Sequence, residues 1–133
     1  MSAKNAISYT VETTMAVPDT VNAVTSELKK RGYGVLSNID VKKIIKEKLG
    51  EEMANYVILD VCNPDHAKTA LDAHKELGLI LPCKITVYQE STKTLVSLFR
   101  PTEAIKVTGF EDLQPLAREV EHQLKEAVDA VAA

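Results

Sequence analysis

The stretch from Lys84 to Arg100 limits the fold more than any other. "KITVYQE" and "TLVSLFR" are two strand-like runs joined only by Ser91, Thr92 and Lys93. A connection that short can only turn the chain back on itself, so the two runs form an antiparallel hairpin. The preceding chain has a different rhythm. "ISYTVET" at 7–13 alternates apolar and polar residues as a half-buried strand does, and Val21, Val24 and Leu28 then recur at helical spacing. "YGVLSNI" is a second strand, followed by a helix capped by Asp40 with Val41, Ile44, Ile45 and Leu49 on one face. "YVILDVC" is the third, leading into a helix over 64–77 with Ala67, Ala70, Leu71, His74 and Leu77 in line and Gly78 as its stop.

After the hairpin, "AIKV" at 104–107 is a candidate for one more strand. A long amphipathic helix from about Asp112 closes the chain, with Leu113, Leu116, Ala117, Val120, Leu124, Val128 and Val131 on its stripe. The expected fold is therefore α+β, in two layers. It has a mixed β-sheet with helix crossovers in the first half, a β-hairpin in the second and the C-terminal helix packed on the sheet. At 133 residues, with no repeat or linker, the chain 1–133 is expected to be a single domain.

Composition narrows the function. The net charge is −3, which argues against a nucleic-acid partner, since gripping a phosphate backbone requires clustered Lys and Arg. No apolar run approaches the ~20 residues of a membrane span, so no membrane partner is expected. The opening "MSAKNAISYTVETT" lacks the apolar block of a secretory signal, giving the expectation of a cytoplasmic protein. Two cysteines in a chain of this length do not make a disulfide framework.

Those cysteines are nevertheless the main candidates for chemistry. In "VCNPDHA", Asn63 is a good N-cap, Pro64 suits the first helical position and Asp65 complements the dipole, so helix initiation explains all three. Cys62 is not required by that grammar. It stands where free backbone N–H groups could favour a thiolate or an anion, although Asp60 and Asp65 oppose a strongly activated thiol. Cys83, in "LPC", is fixed by Pro82 at the start of the hairpin. If strand three and the hairpin's first strand are antiparallel neighbours, Cys62 and Cys83 face one pocket. The candidate ligand-binding residues are Cys62, Asn63, Cys83 and His66. Cys62, Cys83 and His66 are also weak metal candidates, for they lack the paired short spacings of structural zinc. The residues leave the cofactor unknown. His74 is read as a hydrogen-bonded histidine at the core edge, His122 as surface, and the apolar "LGLILP" connection as lying over a core or against a partner.

The stretches "RGYGVLSNIDV", "KEKLG", "CNPDHA" and "LGLILPCKITVY", in this order, resemble the bacterial and archaeal family known as domain of unknown function (DUF) 302, over about residues 32–101. The matching positions are Gly32, Gly34, Asp40, Cys62, Asn63, Pro64, Ala67, Leu71, Leu81, Pro82 and Cys83. The chain departs from the pattern at Tyr33, where phenylalanine is expected, and at Asp60-Val61, where small residues are expected. The resemblance implies a compact two-layer α/β domain that forms homodimers, in a family without an established activity. Three functional readings stand. One is a small-molecule, anion or metal binding module with a two-cysteine site. The others are a structural or interaction homodimer with packing cysteines, and a thiol redox enzyme or sensor.

Overall fold

The computed structural model describes residues 5–132. Five strands, β1 (Ser8–Thr13), β2 (Gly34–Asp40), β3 (Tyr56–Cys62), β4 (Cys83–Glu90) and β5 (Lys93–Phe99), form one sheet in the order β1-β5-β4-β3-β2. Helices α1 (Val17–Lys30), α2 (Val41–Leu49), α3 (Pro64–Ala73), α4 (Pro101–Thr108) and α5 (Gln114–Asp129) complete an α+β, two-layer architecture. The hairpin is β4–β5, closed by a two-residue turn in which Ser91 adopts φ 58°.

The sheet is antiparallel throughout, not mixed. A helix between two strands makes them parallel neighbours only if it carries the chain back to the end where the first strand began. The α2 and α3 excursions instead leave and return at the same end. Asp40, the last residue of β2, pairs with Val57 near the start of β3, and Val61 near the end of β3 pairs with Cys83, the first residue of β4. Of the helical connections between strands, α1 is the one that carries the chain to the opposite end, and it joins the two edge strands, β1 and β2.

α1 and α5 lie on one sheet face. Val24, Leu28, Leu59, Ile85, Val87, Leu98, Leu124 and Val128 are fully buried between these layers. By contrast α2 buries no residue and leaves Ile44 and Leu49 exposed, so its apolar stripe is not a core face. The strand expected at 104–107 is part of α4. Pro101 starts that helix, Gly109 at φ 77° ends it, and Ala104 and Ile105 are buried on one side. α3 stops at Ala73 rather than running to Gly78. His74 turns extended and the chain continues as a 3-10 turn, Lys75–Leu79, which drives Leu77 into a second apolar cluster with Ala70, Ile105, Leu113 and Ala117. A 3-10 turn, Glu111–Leu113, also precedes α5, so the last helix begins two residues later than its apolar stripe suggests.

Candidate functional site

The β3–β4 pairing answers the question of the two cysteines. Cys83 opens β4 opposite Val61, and Cys62 is the next residue of β3, so the thiols stand one register step apart at the same end of the sheet. Both are free. Beyond that end, α3, α4 and α5 surround a cavity of about 270 Å³. Cys62, Asn63, His66 and Cys83 all line it.

Its walls follow from how each element is started. Asn63 caps α3 by accepting the His66 backbone N–H at 3.1 Å, and the His66 ring lies beside Glu119 of α5, with Nε2 3.6 Å from Oε2. Gly32, at φ 86°, brings the β2 approach so close that a Cβ there would sit 3.3 Å from Asn63 Nδ2. Tyr33 is buried. Its hydroxyl donates to Gln123 Oε1 at 2.6 Å, and its ring centroid lies 6.4 Å from that of His66. The opposite wall is the second apolar cluster, whose Ala70, Leu77, Ile105, Leu113 and Ala117 all border the cavity. Leu116 packs against both this cluster and the main core and also borders the cavity.

Electrostatically the site is quiet. Among the described residues that line the cavity there is no Asp, Glu, Lys or Arg. Burial, together with the neighbouring Cys62, pushes the Cys83 thiol up to about 11, so it is protonated at neutral pH. Burial, then the surrounding Cys83, Glu119 and Cys62, likewise raises the Tyr33 phenol. Asp60, the departure that bears on a ligand beside Cys62, does not line the cavity. The Lys84 ammonium and the Ser37 hydroxyl bind it across the strands and hold its carboxyl below the usual range. Among the described residues no three His, Cys, Asp or Glu side chains gather where they could hold a metal ion, and Cys62, Cys83 and His66 do not form such a group.

Sequence reasoning missed two parts of this site. The α4 wall was hidden by its strand-like composition. The support behind it, Glu121, reads as surface beside His122 but falls on the buried stripe of α5 between Ala117 and Leu124. Its side chain is 7% exposed. It accepts the Thr102 N–H at 3.0 Å and hydroxyl at 2.6 Å, and pairs with Arg100 and Lys125, each at 3.2 Å. Burial would raise this carboxyl, but the two Thr102 donors and the two cations prevail and lower it to about 2. Glu121 therefore fixes the start of α4, and with it one wall of the cavity. His74, at the end of α3, bonds Asp112 at 3.0 Å and stacks on Phe110 at 3.8 Å, as a core-edge histidine does. His122 is 76% exposed.

A one-sided antiparallel sheet with an apolar end cavity bordered by two thiols defines a small α+β domain of the two-layer class. The chain belongs to the family "Domain of unknown function DUF302", whose model matches residues 9–131, well beyond the segment 32–101 that carries the motifs. The crystal structure of an uncharacterized conserved DUF302 protein from Bacillus stearothermophilus is similar to it, at 31% identity and TM-score 0.91, over 96% of this chain and 99% of that one. No curated protein matches the chain. Among the described residues no helix is long and apolar enough to cross a membrane.

Proposed function

We propose that the protein is a binding module for a small organic molecule held in the cavity at the end of the sheet, with the Cys62 and Cys83 thiols beside it. The observation that carries this reading is convergence. Four residues singled out by their sequence context, from two separate segments, border one cavity that also receives the whole second apolar cluster. Its volume of about 270 Å³ is near the lower end of the roughly 300–1,000 Å³ usual for ligand sites. While it is unfilled, apolar surface of this kind forgoes dispersion contacts that a ligand would supply.

The test is a ¹H–¹⁵N NMR titration with benzyl alcohol as probe, on the wild-type protein and on Ala67→Phe, which places a ring into the cavity from α3. Saturable shifts confined to residues around Cys62, Ala70, Cys83 and Ala104, lost in a folded Ala67→Phe, are the expected result. Shifts scattered over the surface, or unchanged in Ala67→Phe, would remove the proposal.

A further inference from the structure

Resting on that reading of the cavity, we infer that its ligand is an uncharged molecule with a ring-sized apolar body and one neutral polar group, and that the site discriminates against anions and cations of the same shape.

Three observations converge on this class. First, no Lys, Arg, Asp or Glu among the described residues lines the cavity, so a charged ligand would leave water without a counter-charge. Second, the α3 N-terminus offers an anion little. Pro64 has no N–H, the His66 N–H is taken by Asn63 Oδ1 at 3.1 Å and the Ala67 N–H by the Asn63 carbonyl at 2.9 Å, which leaves the Asp65 N–H, on a residue whose own carboxylate opposes an anion. The Glu119 carboxylate faces His66, 3.6 Å from its ring. Third, the surroundings disfavour charge even in the protein's own groups, since burial raises both the Cys83 thiol and the Tyr33 phenol further above their ordinary values.

The lining is almost wholly apolar, and its few polar side chains lie at one end. Cys62, Asn63 and His66 gather at the β3–α3 junction, whereas Leu77, Ile105 and Leu113 form the far side. The ligand's hydroxyl, carbonyl or amide belongs at the first end and its apolar body at the second. The body is sized by the volume. A dry apolar cavity of about 150 Å³ suffices for benzene, and this one is about 270 Å³.

Four probes of one shape test the assignment on the wild-type protein at pH 7, with inorganic phosphate as a fifth: benzyl alcohol, benzamide, benzoate and benzylamine. Benzyl alcohol and benzamide are expected to give saturable shifts at cavity residues, with benzoate and benzylamine binding about tenfold more weakly or worse. Benzoate or benzylamine binding as tightly as benzyl alcohol would overturn the neutral-ligand assignment while leaving the cavity as a binding site. Phosphate shifting the Asp65 and His66 amides at lower concentration than benzyl alcohol shifts the cavity would overturn it in favour of an anion. If none of the four aromatic probes perturbs the cavity residues, the binding reading fails as well.

Discussion

Replacing Glu121 by Gln removes one charge from the junction that holds α4 over the cavity, and the structure sets both the size and the pH dependence of the result. The folded carboxyl lies at about 2 against an ordinary 4.5. A displacement of that size is worth about 3 kcal/mol at neutral pH. Arg100 and Lys125, whose side chains are 30% and 33% exposed, regain hydration once the carboxylate is gone. The expected loss in Glu121→Gln is therefore about 2–3 kcal/mol at pH 7. Because the folded value is depressed, the contribution is complete above about 4.5, shrinks as pH falls through the interval, and vanishes below about 2. Urea unfolding of both proteins from pH 7 to pH 2.5 isolates this carboxylate, since all other groups titrate equally in the two. The difference in unfolding free energy should stay level down to about pH 5 and then narrow steadily. A gap that stays constant down to pH 2.5, or a variant within about 0.5 kcal/mol of wild type at pH 7, would refute the assignment of Glu121 as an ionised clamp.

Three further outcomes follow from the local geometry. Gly32→Ala should cost about 1–2 kcal/mol in thermal or urea unfolding, because φ is 86° and the new Cβ meets Asn63 Nδ2 at 3.3 Å, whereas Gly34→Ala, with nothing within 4 Å, should change stability by less than about 0.5 kcal/mol. Asn63→Ala removes the acceptor of the His66 N–H and should destabilise by about 1 kcal/mol, with Asn63→Asp close to wild type. In a Cys62→Ser background, where burial as the larger cause remains although the Cys62 contribution is removed, Cys83 should alkylate with iodoacetamide at least about tenfold more slowly than free cysteine at pH 8 and go on gaining roughly tenfold per pH step beyond pH 9. A rate that levels off by pH 9 would show that the thiol is not raised.

What the chain reveals in advance depends on whether a signal is local. Strand alternation, the Asn63 cap, the hairpin turn and the α5 stripe are set by neighbours in sequence, and the corresponding elements form where those patterns lie. The direction in which a strand returns is not local. The helices after β2 and β3 look like parallel crossovers in sequence, yet both connections close at the end where they opened. "AIKV" carries β-prone residues, but the Pro101 start, the Gly109 stop and burial of Ile105 against the second cluster outweigh that preference. α2 shows the opposite failure, an amphipathic pattern with no core beneath it. For the site, pairing of the two cysteines was foreseeable as a condition on β3 and β4 being neighbours. The cavity between them was not, because its far wall comes from residues 104–117, remote in sequence and assigned elsewhere. Glu121 was visible in principle. It lies four residues after Ala117 and three before Leu124, on the apolar stripe, and a charge at such a position calls for buried partners.

The most direct test of the central claim is a crystal of the protein soaked in benzyl alcohol, examined for difference density at the end of the sheet. The account predicts one ring-shaped feature between Cys62, Cys83 and Ala104, with its hydroxyl toward Asn63 and His66. A cavity closed by Leu77 and Ile105 packing onto Val61 and Cys83, or probe density only on the outer surface, would contradict it.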